Sequence, residues 1–214
     1  MDRRLRQLPL RAYSALPFLP SERRYNLTVS SAKKFIWFRV AKVGTRTILN
    51  TLKSANVPLD LEEESRLHYF PNLRRDYFKF AFVRNPWDRL VSGWMNKVVD
   101  RNFFGFDDNA LARMREFPNF IDYVASLDMA KCDRHLALQS SLIDLNNVDF
   151  IGRMERFEED FSAVLGRIGV NSPEIGRKNA SGARMSYRDY YDGETAKKAR
   201  DIYERDISIF GYEF

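Results

Sequence analysis

Two short apolar runs interrupt an otherwise charged first half of the chain, Phe35-Ile36-Trp37-Phe38 and Phe80-Ala81-Phe82-Val83, and each opens onto a polar turn. Aromatic and β-branched runs of this length predict buried strands. After the first, Ile48, Leu49 and Leu52 recur at helical spacing. After the second, which reads as a strand from Phe78 to Val83, a helix is expected from Pro86, because proline suits the first helical turn. A third buried strand is expected at Val148-Asp149-Phe150-Ile151. Strands separated by helical stretches predict the α/β class: a parallel sheet flanked by helices on both faces in a single domain, with ligands at the carboxyl ends of the strands.

The remaining pattern is mostly helical. Asn109 to Phe117, Asn119 to Leu127 and Asp133 to Leu142 read as short helices, and Glu158 to Ile168 as an amphipathic one. Asn171 to Arg184 is polar and contains glycine, hence loop, and Gly193 to Asp206 is a charged helix running into the apolar Ile207, Ile209, Phe210 and Tyr212. Residues 1–32 carry Arg3, Arg4, Arg6, Arg11, Arg23 and Arg24, with Pro9, Pro17 and Pro20 breaking any long helix, and read as a basic N-terminal arm. Residues 33–214 then form the domain.

Composition narrows the partners. A chain of 214 residues with 44% hydrophobic residues is long enough for one substantial core, and a net charge of +6 favours anionic ligands: nucleotides, acidic sugars, nucleic acid or membrane headgroups. Cys132 is the only cysteine and His68 and His135 the only histidines, so neither an internal disulfide nor the usual zinc site is expected. With no apolar leader or membrane-length run, a reducing cytoplasm is the expected location. The sequons at Asn26 and Asn179 read as incidental.

The chemistry sits after the first two strands. In Lys42-Val43-Gly44-Thr45-Arg46-Thr47, glycine lets backbone approach an anion while cations and hydroxyls surround it. The lysine precedes the glycine, so the G-x-x-x-x-G-K-[ST] order of nucleotide triphosphatases is missing. In Arg84-Asn85-Pro86-Trp87-Asp88-Arg89-Leu90-Val91-Ser92, the arginine at a strand end and a serine about two helical turns on suit a second phosphate. Two anion sites call for a ligand phosphorylated at two points.

These residues resemble the carbohydrate sulfotransferases that use 3′-phosphoadenosine 5′-phosphosulfate (PAPS), of the chondroitin and heparan sulfate 2-O-sulfotransferase type, from about Lys33 to the C-terminus. The match continues in Asp149-Phe150-Ile151-Gly152-Arg153-Met154-Glu155 and in Tyr203-Glu204-Arg205-Asp206 with Phe210-Gly211-Tyr212. Ala41 and Arg46 depart from it, at positions where proline and a small hydroxyl residue are frequent. The resemblance implies a P-loop-like fold and sulfuryl transfer from PAPS, without a metal, to a hydroxyl of a carbohydrate or glycolipid. It assigns Lys42, Gly44, Thr45, Arg46 and Thr47 to the 5′-phosphosulfate, Arg84 and Ser92 to the 3′-phosphate, and Lys178, Asn179 and Ser181 to a segment closing over the nucleotide.

Lys42 is also the expected catalytic cation. His68 is the first choice of general base, since an imidazole titrates near neutrality, although Leu67, Tyr69 and Phe70 equally suit a packed ring. His135 with Gln139 at i+4 would share a helix face and contact sugar hydroxyls, which makes His135 the rival base, and Glu155 is the third candidate. Phe103, Phe104, Phe106 and Trp94 read as core or as sugar-stacking surface. Two other functions stay open on the sequence: a kinase-like nucleotide-dependent transferase, and a non-catalytic binder of RNA or polyanions, with no nucleic-acid partner expected for the leading reading.

Overall fold

A computed structural model describes residues 24–68, 74–171 and 185–214, and for residues 63–66 and 68 the backbone. In chain order the elements are β1 (Arg24–Ser30), β2 (Phe35–Phe38), α1 (Thr45–Ser54), β3 (Leu61–His68), β4 (Phe78–Val83), α2 (Pro86–Trp94), α3 (Asp108–Met114), α4 (Phe117–Ala125), β5 (Phe150–Arg153), α5 (Phe157–Arg167) and α6 (Gly193–Phe210). A π-helical turn, Met95–Val99, prolongs α2. The chain divides into two compact units: Met1–Val83 with Leu142–Lys178, and Arg84–Ser141 with Asn179–Phe214.

The first unit holds one sheet in the order β3-β1-β2-β4-β5, together with α1 and α5. β2, β4 and β5 are parallel, as the buried aromatic runs predict, with Phe38 opposite Ala81 and Val83 opposite Arg153. The expectation of an all-parallel sheet is corrected on the other side, where β1 pairs antiparallel with both β2 and β3, so the sheet is mixed. The short turn from Ser31 to Lys34 leaves no room for a crossover, and only antiparallel neighbours can be joined that way.

Residues 24–30, read from sequence as the end of a basic arm, are therefore β1, and residues 1–23 lie outside the described residues. The polar side chains of β1 survive burial because they have partners: the Thr28 hydroxyl donates to the Glu62 carbonyl and the Ser30 hydroxyl to the Pro58 carbonyl, at 2.6 Å for the latter. β3, rich in charge, occupies the sheet edge, where charged side chains are tolerated.

Aromatic rings fill the core of this unit. Trp37 and Phe80 stack at 6.0 Å, and Phe82 meets Phe157 at 5.5 Å and Phe161 at 6.0 Å. Gly152 on β5 is part of the same packing, since a Cβ there would stand 2.4 Å from the Phe82 ring. The glycine makes space for the phenyl ring.

The second unit is helical. Trp87 and Trp94 on α2 are buried and donate their indole N–H groups to the carbonyls of Ala196 and Met114, each at 2.9 Å. Trp94 packs on Phe117 at 5.0 Å, which makes it core, whereas Phe103 is 48% exposed. α6 starts with a capping box between Asp192 and Thr195. The expected helix from Asp133 to Leu142 is absent: the segment is a chain of turns ending in the short 3-10 stretch Gln139–Leu142. Its peptide groups bond side chains instead of each other. The carbonyls of Ala137 and Arg134 accept from the buried Arg89 guanidinium, that of Leu136 from the Tyr203 hydroxyl, and the Gln139 and Ser140 N–H groups donate to Asp206. Among the described residues no helix is long and apolar enough to cross a membrane.

Candidate functional site

In the first unit a sharply folded turn links β2 to α1. Lys42 stands at φ 71° and Gly44, the residue before α1, at φ 73° and ψ 18°. Two left-handed residues so close together fold the backbone sharply, so that successive N–H groups can converge. No side chain caps α1 and its first turn contains no acidic residue, so its amides and positive dipole end are left for an incoming anion. Glycine is favoured at 44 twice over: by its φ, and because a Cβ would lie 3.1 Å from Met154 Sδ and 3.3 Å from Phe157. Met154 belongs to the turn after β5, so the start of α1 packs against the end of that strand.

The side chains of the loop divide. Thr45 donates its hydroxyl to the Val40 carbonyl at 3.1 Å, which ties the helix start to the strand end and leaves its N–H as its offer to a ligand. Arg46 is exposed; Lys42 and Thr47 are half-buried. The residue types fit a phosphosulfate group: cation, glycine-lined backbone and hydroxyl, with no carboxylate in the helix's first turn. Among the described residues no cluster of three or more histidine, cysteine, aspartate or glutamate side chains is arranged to hold a metal.

The topology also places the backbone of His68. β3 is antiparallel to β1, which is antiparallel to β2, so β3 runs parallel to β2 and its last residue, His68, ends at the sheet edge that carries the Lys42 loop. Two strand spacings separate them laterally, roughly 10 Å. Glu155 is exposed on the turn after β5.

In the second unit Arg84 directly follows the last residue of β4. Its guanidinium is gripped by Asp88, Nε to Oδ2 and Nη2 to Oδ1, both at 2.7 Å, an in-plane fork that fixes the group's orientation. The adjoining helix start differs from that of α1. The Asn85 side chain accepts from the N–H groups of Trp87 and Asp88, and Pro86 has none to offer, so this terminus is closed to an anion. Ser92 is half-buried in the middle of α2.

The pairing of His135 with Gln139 is corrected. Without the helix, the two share no face. Gln139 is fully buried, and its side-chain amide accepts from the Arg84 N–H at 3.0 Å and donates to the Arg84 carbonyl at 2.8 Å, so it does not meet a sugar. His135 is 12% exposed, with Nδ1 2.6 Å from Asp133 and the Phe103 ring 5.3 Å away. Burial holds its pKa below the ordinary histidine value although Asp133 pulls the other way, so the neutral ring donates from Nδ1 and keeps Nε2 as its basic nitrogen. Lys178, Asn179 and Ser181 lie outside the described residues.

Sequence reasoning gave no individual role to Asp133, Arg89 or Asp206, although the last two lie in the quoted motifs. The available signal was charge at positions that face the core: Arg89 is 1% and Asp206 0% exposed. A charge at such a position persists only when it has partners.

Comparison with known proteins adds a family. The model of the "Sulfotransferase family" matches residues 25–213. Carbohydrate sulfotransferase 14 of Homo sapiens is 28% identical over 65% of this chain and 46% of its own length. Its Danio rerio counterpart is 23% identical over 97% of this chain and 67% of its own length, and human carbohydrate sulfotransferase 8 is 28% identical over 64% and 39% respectively. The chain thus spans about half the length of the human relative first named. No solved structure matches significantly.

Proposed function

The chain belongs to the sulfotransferase family, and from that premise we propose that it transfers the sulfuryl group of PAPS to a hydroxyl of a carbohydrate or glycolipid. The observation that carries this reading is the open start of α1 behind Lys42 and Gly44, an anion cradle in a chain whose family moves an anionic group. The relatives' names, carbohydrate sulfotransferases 14 and 8, support the choice of acceptor class.

PAPS, when bound, supplies the activated S–O bond. The work of this chain's residues is positioning and charge. Lys42 stabilises the negative charge that grows on the bridging oxygen as that bond breaks, an interaction stronger in the transition state than before it. The N–H groups of Thr45, Arg46 and Thr47 and the Thr47 hydroxyl hold the 5′ end, while Arg84 and Ser92 hold the 3′-phosphate. His68 takes the proton of the acceptor hydroxyl as its oxygen bonds sulfur, with His135 and Glu155 as the alternatives that a negative result would promote.

The test pairs binding with turnover. Labelled PAPS should pass its sulfuryl label to a carbohydrate in an acceptor screen. Thermal shifts should be seen with 3′-phosphoadenosine 5′-phosphate, since occupancy at a hundred times Kd adds about 2.7 kcal/mol. A shift with Mg-ATP and none with the bisphosphate rejects the proposal in favour of a kinase-like enzyme.

A further inference from the structure

Behind Arg84 a polar network, rather than apolar packing, occupies the interior of the second unit. Gln139 is 0% exposed, yet both ends of its amide are spent on one residue: Oε1 accepts from the Arg84 N–H at 3.0 Å and Nε2 donates to the Arg84 carbonyl at 2.8 Å. A side chain that exchanges both bonds with one backbone residue imitates the neighbouring strand of a ladder. It thereby fixes the peptide groups on both sides of the arginine's Cα.

Gln139 is itself fixed from behind. Its N–H and that of Ser140 both donate to the Asp206 carboxylate, at 2.6 and 2.9 Å, and Asp206 is 0% exposed. Arg89, 1% exposed, supplies the nearby positive charge and ties down the carbonyls of Ala137 and Arg134 in the same chain of turns. At the far end of the arginine, Asp88 holds the guanidinium plane through two bonds of 2.7 Å. Arg84 is thus immobilised at its backbone by Gln139 and at its head by Asp88.

We infer that Gln139, anchored by Asp206, is a positioning residue that fixes Arg84 for recognition of the donor's 3′-phosphate. The inference rests on the proposed role of Arg84. Orientation matters for a planar guanidinium because its paired donors meet a phosphate well only over a narrow range of angles. An apolar residue of the same shape would leave the Arg84 N–H and carbonyl to find other partners and release the backbone that carries the guanidinium.

The experiment is calorimetric binding of 3′-phosphoadenosine 5′-phosphate and of AMP, which lacks the 3′-phosphate, to the wild-type chain, Gln139→Met, Gln139→Glu, Arg84→Ala and the double variant Arg84→Ala/Gln139→Met. Gln139→Glu keeps the size and the acceptor but loses the donor to the Arg84 carbonyl, and serves if the methionine variant does not fold. The expected result is a loss of about tenfold or more for the bisphosphate with AMP affinity kept within about twofold, and no further loss when Gln139→Met is added to Arg84→Ala. In turnover, the donor KM rises while kcat holds. Equal losses for both nucleotides, or losses that multiply in the double variant, overturn the inference and make Gln139 a structural residue. A wild-type chain that does not prefer the bisphosphate over AMP overturns the role of Arg84 and this inference with it, whereas a wild-type preference that survives Gln139→Met overturns the inference alone.

Discussion

Lys42 combines a catalytic assignment with a backbone conformation that lysine disfavours, and the two can be separated by comparing Lys42→Gly with Lys42→Ala. At φ 71° the side chain crowds the carbonyl that follows, at a cost of about 1–2 kcal/mol for any residue with a Cβ. Glycine removes that cost but gives back roughly 0.4–1 kcal/mol through the greater freedom of its unfolded chain. Whatever contacts the ammonium makes are lost in both variants, so they cancel in the comparison. Lys42→Gly should therefore be more stable than Lys42→Ala by about 0.5–1 kcal/mol, or roughly 1–4 °C in Tm for a chain of this size. Turnover should fall alike in both, by about a hundredfold or more, as when one donor to a developing charge is removed from an active site. Calorimetric melting and a labelled-sulfate assay on the same preparations decide the matter. A glycine variant no more stable than the alanine variant refutes the strain argument, and turnover persisting in both refutes the charge argument.

Three other outcomes follow from the geometry. Gly152→Ala drives a methyl to within 2.4 Å of the Phe82 ring and should cost about 1–3 kcal/mol in a urea melt; coupling it to Phe82→Leu should recover part of that, and a neutral Gly152→Ala would show that the sheet moves aside freely. His135 has its pKa lowered by burial, and by Lys97 and Arg134, against the opposing pull of Asp133, so its neutral form is favoured by folding. That contribution is present above the unfolded value near 6.5 and is lost as pH falls through the folded pKa; the urea midpoint should decline from about pH 7 to pH 5, and His135→Gln should flatten the decline. His68→Ala should depress kcat far more than donor affinity, and unchanged turnover would pass the role of base to His135 or Glu155.

Legibility followed local physics. β2 and β4 were readable to the residue because four or more consecutive apolar positions, each ending at a polar turn, are what a strand buried on both faces requires. β1 was hidden: Asn26, Thr28 and Ser30 look like loop residues until Glu62 and Pro58 supply carbonyls for the Thr28 and Ser30 hydroxyls, contacts more than twenty residues distant in sequence. The same holds for the turns from Asp133 to Leu142, where a locally helical pattern loses to Arg89, Tyr203 and Asp206, all remote partners. The turn at Lys42 and Gly44 was legible because a glycine between a buried strand and a helical pattern signals one by residue type alone. The duty of Gln139 was not, since an amide reads identically whether it faces sugar or a backbone.

The two basic motifs look equivalent in sequence, each a strand end followed by a helix start, yet they work by different means. At α1 the N-cap is glycine and supplies no side-chain cap, so in the proposed site backbone and dipole are the recognition elements beside Lys42, and a substitution at Gly44 acts through φ and through steric contact with Met154. At α2, Asn85 has already taken the amides of Trp87 and Asp88, so an anion near this segment depends on side chains and above all on how Arg84 is held. It follows that, Lys42 apart, donor binding at the first site should depend more on the backbone than on side chains, while the second should be sensitive to residues that never touch the ligand. Asp88 is the sharpest case. Its carboxylate offsets the charge of Arg84 while orienting it, so Asp88→Asn exchanges order for net positive charge. If orientation governs, Asp88→Asn weakens binding of 3′-phosphoadenosine 5′-phosphate despite the added charge; tighter binding in the variant would show that Coulomb attraction governs instead.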